Sequence, residues 1–162
     1  MAKFQIQEIL GSTYYTVRLG AGPTDAGNLK GTEKGKFVKL AGSSRYDLCV
    51  PGDEIEGFIV TVEAATADGF SIGSIRIEDR IPVTLDGLQA TPGTGTINIG
   101  DYVVVGSVVP KGTAQTAPVK VCAATVQPSS TNYVGKFMWR LVANNDLNGA
   151  VGTTGVIERV NA

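Results

Sequence analysis

The sequence contains no histidine among its 162 residues. Without an imidazole, neither a Ser-His-Asp nor a Cys-His nucleophile arrangement can be built. The zinc and non-haem iron sites that depend on histidine ligands are excluded for the same reason. Proton transfer near neutral pH would require a carboxylate, lysine or cysteine with a strongly shifted pKa. We therefore predict that the protein is not an enzyme and has no catalytic residues.

Charged residues are also scarce, at 18% of the chain, against about 25% in an ordinary soluble domain. The 14 basic and 15 acidic residues leave a net charge of −1, and no cluster of five or more basic residues occurs. Such a balance attracts neither phosphate backbones nor anionic lipid. We expect no nucleic acid and no membrane among the partners.

Only two cysteines are present, Cys49 and Cys122, and both lie in apolar runs typical of strands. Neither belongs to a C-x-x-C motif, so we predict two small buried hydrophobic side chains. A metal-binding pair or a disulfide is the alternative.

Long hydrophobic segments are missing. The longest apolar run, residues 103–109, covers about a third of the ~20 residues that a membrane-spanning helix needs. Residues 1–7 lack the apolar core of a signal peptide. We expect a soluble protein made in the cytoplasm.

Glycine is abundant, with 21 residues, and hydrophobic residues alternate with polar ones. This period of two is typical of strands. Turn-forming pairs separate the alternating segments, and the Asp-Gly pair at 68–69 is the clearest hairpin signal. We predict eleven strands, near residues 3–9, 13–19, 36–41, 46–50, 54–63, 70–78, 81–85, 97–105, 118–126, 134–143 and 155–160.

Many short strands at close spacing predict an all-β fold, a compact sandwich or barrel of antiparallel strands with long glycine-rich loops. A jelly roll and a smaller barrel both remain open. We expect a single domain over residues 1–162. Residues 1–19 would form an N-terminal arm or edge strands, and residues 20–36 a mobile loop.

The candidate ligand-binding motifs are incomplete. The segment 31–37 resembles a phosphate loop, but one residue is missing between its glycines and Phe37 replaces the hydroxyl that binds magnesium. The segment 144–149 has the oxygen spacing of a calcium loop, but Gly155 stands where a bidentate glutamate is needed. The carboxylates at 53–56 and 78–79 are interpreted as charges that protect strand edges. We predict no cofactor and no metal.

Aromatic residues offer three alternatives. Trp139, with Phe137, Tyr133, Tyr14 and Tyr15, would form a platform for stacking sugars, an assembly surface, or part of the core. Alternation places Phe137 and Trp139 on one face, which favours the core.

Two pairs of segments are weakly similar. Residues 52–59 resemble 100–108, and residues 72–76 resemble 134–138. The separations of 48 and 62 residues disagree. An internal repeat and two strands that begin with the same Gly-Asp turn both explain this similarity.

Residues 48–87 carry a more specific pattern. Gly52-Asp53-Glu54-Ile55-Glu56-Gly57 begins an alternating strand, and a glycine-rich hairpin follows. This arrangement resembles the decoration, or cement, proteins of tailed-bacteriophage heads. The similarity covers about forty residues of the 162.

The resemblance implies a protein that binds the outside of an expanded icosahedral capsid and bridges major capsid protein subunits. It implies a homotrimer or homodimer on the virion exterior, with an N-terminal arm at residues 2–10 that adds a strand to the capsid protein. We expect contacts from the arm, the 20–36 loop and the aromatic residues, namely Lys3, Phe4, Gln5, Ile6, Tyr14, Tyr15, Lys30, Lys34 and Trp139. A tail, baseplate or fibre component and a carbohydrate-binding sandwich that uses Trp139 are the alternatives.

Overall fold

The computed structural model describes residues 4–7, 13–20, 29, 31–41, 45–63, 71–77, 80–125, 127, 139–144 and 149–160. These residues form twelve strands and one short 3₁₀ turn, Gly31–Glu33. The strands are β1 (Phe4–Gln7), β2 (Thr13–Gly20), β3 (Phe37–Ala41), β4 (Arg45–Leu48), β5 (Gly57–Glu63), β6 (Ser71–Arg76), β7 (Arg80–Leu88), β8 (Thr91–Pro92), β9 (Val103–Val105), β10 (Lys120–Ala123), β11 (Trp139–Asn144) and β12 (Thr154–Arg159). The predicted all-β fold is confirmed.

Each of the eleven predicted strands overlaps an observed one, and the two-residue strand β8 was not predicted. The largest error concerns the strand predicted at 97–105, of which only Val103–Val105 is a strand. Gly100, with φ of +97°, forms a turn there that a strand cannot accommodate.

The chain divides into two compact units, each made of several segments. Unit 1 comprises residues 1–49, 56–79 and 109–116, and unit 2 comprises residues 50–55, 80–108 and 117–162. The expectation of a single domain over residues 1–162 stays a prediction.

Unit 1 contains a closed ring of five strands in the order β2-β4-β3-β5-β6, with β6 paired back to β2. Strand β1 pairs with β2 outside this ring. Because side chains alternate across a strand, every second residue points into the ring. Its buried core consists of Leu19, Leu29, Val38, Tyr46, Ile59 and Ile75. This ring is the smaller barrel of the two sub-folds left open by the sequence.

Unit 2 contains a second sheet in the order β11-β12-β7-β10-β9, with β8 paired to β7. An antiparallel bridge between Tyr102 and Arg140 links its two outer strands, β9 and β11. Two backbone hydrogen bonds, from Leu141 N to Asp101 O and from Gly100 N to Leu141 O, reinforce this link. Its buried residues include Ile81, Val83, Leu85, Val103, Val105, Val121, Trp139, Leu141 and Ile157.

Two strand pairs are parallel, which corrects the expectation of antiparallel strands only. The pairs are β2 with β4 and β7 with β10. In each unit they are the first and third strands of the ring, separated along the chain by a strand that runs the opposite way. Alternation shows which residues face inward but carries no information about the direction of a neighbouring strand.

Candidate functional surface

A row of three side chains crosses the outer face of unit 1. Tyr14 on β2 lies opposite Arg76 on β6, and Arg76 lies opposite Phe58 on β5. Their inward-facing neighbours Ile75 and Ile59 are fully buried. Since alternate residues point to opposite faces of a strand, the three side chains of this row point outward together. We call it the Tyr14 row.

The Arg76 guanidinium organises the Tyr14 row. Its Nη2 donates a hydrogen bond of 2.7 Å to the Tyr14 hydroxyl. Its Cζ lies 5.0 Å from the centre of the Tyr14 ring and 5.9 Å from that of Phe58, within the range of cation–π attraction. The three side chains are half-buried. Tyrosine, arginine and phenylalanine are the residue types enriched at the centres of protein–protein interfaces.

The corresponding strands of unit 2 carry a different row. Arg80 on β7 lies opposite Glu158 on β12, and Glu158 lies opposite Arg140 on β11. Arg80 Nη2 is 3.6 Å from Glu158 Oε2, and the two side chains are 70% and 37% exposed. Arg140 is exposed as well. We call this charged surface the Glu158 row.

A carboxylate is buried between the first and third strands of unit 2. Asp86 accepts hydrogen bonds from Ser107 N at 2.9 Å and from Ser107 Oγ at 2.6 Å, and Lys120 Nζ lies 3.5 Å away. Burial raises the pKa of the Asp86 carboxyl, but the Ser107 hydrogen bonds and the Lys120 charge outweigh it and hold the pKa below its ordinary value. Asp86 therefore stays ionised and links β7 to Ser107, just after β9, and to Lys120, the first residue of β10.

Unit 1 has a comparable ion pair on its third strand. Arg45 Nε and Nη2 donate to the two carboxylate oxygens of Asp47 at 2.5 and 2.8 Å. This bidentate hydrogen bonding, with the charge of Asp47, raises the pKa of Arg45. The Asp47 side chain is 2% exposed and the Arg45 side chain 31% exposed, so the carboxylate is buried while the guanidinium reaches the surface.

Glu33 and Lys36 hold residues 109–116 within unit 1. The buried Glu33 carboxylate accepts hydrogen bonds from Gly112 N at 2.7 Å and from Thr32 Oγ1 at 2.8 Å. Lys36 Nζ donates to Pro110 O at 2.8 Å and lies 4.0 Å from Glu33. Burial lowers the pKa of Lys36, although the Glu33 charge opposes the shift. These two buried groups have a structural role, because each forms a hydrogen bond with the backbone of residues 110–112.

The residues predicted to make contacts have different locations. Lys3 and Lys30 lie outside the described residues, and so do the side chains of Phe4, Gln5 and Ile6. Residues 4–7 of the predicted arm pair antiparallel with β2 of their own chain. Tyr14 belongs to the outward row, whereas Tyr15 packs against the unit 1 core. Lys34 is exposed beside the 3₁₀ turn.

Trp139 lies in the core of unit 2, with 0% of its surface exposed. It therefore offers no face to a sugar or a partner, and the core alternative is the correct one. Its indole Nε1 has no hydrogen-bond partner among the described residues. Phe137 and Tyr133 lie outside those residues.

Both cysteines are buried, as predicted, and neither forms a disulfide. Burial and the nearby Asp86 raise the pKa of the Cys122 thiol to about 11, although Lys120 opposes the shift. A protonated, buried thiol is a poor nucleophile and a poor metal ligand. Within the described part of the chain, acidic residues and cysteines form no group of three that would hold a metal ion.

Sequence reasoning missed five surface residues that share rows, namely Phe58, Arg76, Arg80, Arg140 and Glu158. Each of them is next in sequence to a buried isoleucine or leucine. Because successive side chains of a strand point to opposite faces, this position predicts that they point outward. The pairing of strands distant in sequence, which brings them together, was not visible in that alternation.

A scan against protein-family models found no match, and neither a curated protein nor a solved structure is significantly similar to the chain. None of the described residues form a helix long and apolar enough to cross a membrane.

Proposed function

We propose that this protein is a structural component of a tailed-bacteriophage head. It binds the outside of the assembled icosahedral capsid as a homo-oligomer and stabilises it by bridging major capsid protein subunits. In this proposal it has no enzymatic activity and binds no nucleic acid, and its place is the virion exterior.

The observation that carries the proposal is the structure of the segment that resembles decoration proteins. Gly52 and Asp53 form a turn, in which Asp53 N donates to Val50 O at 3.1 Å. The strands that follow, β5 and β6, pair antiparallel, which is compatible with the hairpin of the resemblance. This pair supplies two of the five strands of the unit 1 ring.

The chemistry of the buried polar groups is consistent with a structural role. Asp86, Asp47 and Glu33 are each engaged by hydrogen bonds or ion pairs inside a unit. The Tyr14 row has the composition of a protein–protein contact surface. A protein that works by binding needs such a surface and a rigid framework beneath it.

The carbohydrate-binding alternative lacks its main residue, because Trp139 is fully buried. A tail, baseplate or fibre component remains the competing proposal, since such a protein also needs contact surface rather than a catalytic site.

Co-sedimentation with expanded, empty phage heads tests the proposal. We expect binding to saturate at a fixed number of copies per capsid subunit, with little affinity for free capsid protein. Binding to isolated tails in place of heads would support the tail alternative. Absence of binding to intact heads would overturn the proposal.

A pair of variants tests the predicted contact at the exposed residue Lys34. Lys34→Glu should weaken binding to heads, because it replaces a cation with a carboxylate at the expected contact. Ala90→Glu adds a carboxylate at another exposed turn and should leave binding unchanged. Equal effects of the two variants would remove Lys34 from the contact.

A further inference from the structure

We propose that copies of this chain associate through their two outward rows, with the Tyr14 row of one copy against the Glu158 row of the next. This inference goes beyond the proposed function, because it names the surfaces of a chain-to-chain contact and is testable without a phage head.

The two rows match in size and position. Each consists of three side chains, contributed by the first, fifth and fourth strands of its unit in that spatial order. Because neighbouring strands lie about 4.8 Å apart, each row extends about 10 Å across its sheet. The backbone frames that display the rows are alike, since both units have the same strand order and directions.

Each row carries a net charge of +1, and the two rows are complementary position by position. The Tyr14 row has a cation, Arg76, between two aromatic rings, and the Glu158 row has an anion between two cations. With the rows face to face, Arg76 meets Glu158 and forms an ion pair. The outer arginines, Arg80 and Arg140, meet the rings of Tyr14 and Phe58, where cation–π attraction applies. Each row has the same type of side chain at its two ends, aromatic in one row and arginine in the other. The contacts are therefore preserved whether the two rows run in the same or in opposite directions.

The occupant is a second copy because every copy carries both surfaces. The Glu158 row is accessible, with Arg80 70% exposed and Glu158 37% exposed. A contact between two different surfaces of identical chains is heterologous, and such contacts close into rings when the rotation permits. A trimer, one of the two oligomeric states that the resemblance implies, is such a ring.

Charge exchange at the centre of the contact provides the test. We expect native protein to associate in sedimentation velocity at micromolar concentration. Glu158→Arg should raise the dissociation constant about tenfold or more, because it places two cations together. Arg76→Glu should have a similar effect. The double variant Arg76→Glu/Glu158→Arg should restore association, since the pair reappears with its signs reversed.

Two further variants keep the test conclusive. Arg76 also contacts Tyr14 and Phe58, so Arg76→Glu could disturb its own unit. A separate protein, Arg80→Glu/Arg140→Glu, therefore changes only the exposed Glu158 row. It should also weaken association, because carboxylates replace the cations that face the two aromatic rings. Glu63→Arg, at an exposed position outside both rows, makes the same charge change as Glu158→Arg and should leave association unchanged. Thermal unfolding of each variant checks that it is folded.

A monomeric native protein at tens of micromolar would overturn the inference. So would association that survives Glu158→Arg, or a folded double variant that does not recover. A change in stability without a change in association would assign these residues to contacts within one chain and would also overturn it. Because no head is present, these outcomes leave capsid binding itself to the co-sedimentation experiment, and a monomeric protein would count only against the homo-oligomer of the proposed function.

Discussion

The two units place a glycine at the same point of their last strand. Gly73 lies opposite Val17 in unit 1, and Gly155 lies opposite Val83 in unit 2. Two residues further on, Ile75 and Ile157 are both fully buried. A Cβ at either glycine would meet a leucine of the first strand, at 2.6 Å for Leu19 and 2.9 Å for Leu85. The close approach of the first and last strands is therefore a shared requirement of both rings.

The units also share an irregularity in their fourth strand. The register of β5 against β6 shifts between Ile59 and Thr61, and that of β11 against β12 shifts between Leu141 and Ala143. A residue inserted in one strand of a pair bends that strand and increases its twist. A bend at this point of both strands is what a small ring of strands needs in order to curve around its core.

A turn before the second strand is equivalent in the two units as well. Gly35 N donates to Ile59 O at 2.8 Å, and Gly100 N donates to Leu141 O at 2.7 Å. Both glycines have positive φ, +84° and +97°, which other residues rarely adopt. The frame of each unit thus depends on a few small residues at fixed points, whereas the outward rows differ in charge and in aromatic content.

The buried carboxylate is where the interiors differ. In unit 1 it comes from Asp47 on the third strand and faces Gly20 on the first. In unit 2 it comes from Asp86 on the first strand, and Cys122 on the third strand donates a 3.5 Å hydrogen bond to its backbone oxygen. A basic residue begins the third strand in both cases, Arg45 or Lys120. Each unit thus has one carboxylate at this place, supplied by a different strand.

The largest expected effect comes from a core position that the units fill differently. The residue before Phe58 is the buried Gly57, and the residue before Arg140 is the buried Trp139. Trp139→Ala should lower the free energy of unfolding by about 3–5 kcal/mol, because it leaves a large cavity. Urea unfolding followed by circular dichroism measures this loss.

Two further substitutions serve as controls for Trp139→Ala. Trp139→Phe should cost less, since the indole N–H has no hydrogen-bond partner among the described residues. Val151→Ala, at a side chain 39% exposed, should change stability by less than about 0.5 kcal/mol. A loss from Trp139→Ala no larger than that of Val151→Ala would contradict the burial of Trp139.

The second prediction compares the two shared glycines. Gly73→Ala should destabilise by about 3 kcal/mol, because its Cβ would collide with the backbone oxygen of Thr61 as well as with Leu19. Gly155→Ala should cost about 1 kcal/mol, since its nearest contacts are the ends of two leucine side chains, at 2.7 and 2.9 Å. Gly31→Ala, with no atom within 4 Å of the added Cβ, is the control. Equal losses at Gly73 and Gly155 would show that the leucines cannot yield.

The third prediction concerns acid. The pKa of Asp86 is lowered in the folded protein, so its contribution to stability is present above the pKa of an unfolded aspartate, about 4. This contribution should be lost as pH falls below about 4 toward the lower folded value. Asp86→Asn should be less stable than the native protein at pH 7 by about 2 kcal/mol. Its stability should fall less steeply with acid in urea titrations between pH 7 and 3. Parallel pH profiles for the two proteins would argue against an ionised Asp86.

Sequence reasoning predicted the strands because one face of each sheet is exposed to solvent and the other is buried. Polar and hydrophobic residues therefore alternate along each strand. Residues 71–76 are an example, in which the buried Ile75 alternates with the outward-pointing Arg76. Ring closure was not predictable in this way, because it joins β2 to β6 and Tyr102 to Arg140 across long stretches of chain. Neither outward row was predictable without those pairings.

The two pairs of similar segments do not mark the correspondence between the two units. The equivalent residues Leu19 and Leu85 are 66 positions apart, whereas Ile75 and Ile157 are 82 apart. The separation grows because two connections are longer in unit 2. Between the second and third strands, residues 106–119 correspond to 42–44, and between the third and fourth strands, residues 124–138 correspond to 49–56. A fixed offset therefore fails, and the similar segments at 52–59 and 100–108 are not equivalent in the fold.

The smallest expected effect is a coupling between two positions of unit 2. It tests whether the buried carboxylate can be supplied by position 122 on the third strand in place of Asp86 on the first. Asp86→Gly should destabilise unit 2, because Lys120 and Ser107 lose their acceptor. Adding Cys122→Asp should recover part of the loss, since it recreates the arrangement of Gly20, Asp47 and Arg45 with Lys120 as the cation.

Cys122→Asp alone should destabilise the protein, because it places a second carboxylate beside the buried Asp86. The four proteins form a double-mutant cycle, for which we expect a favourable coupling of about 1 kcal/mol in urea unfolding. Additive losses would mean that position 122 cannot present a carboxylate to Lys120. The two units would then share a backbone plan without sharing the place of their buried charge.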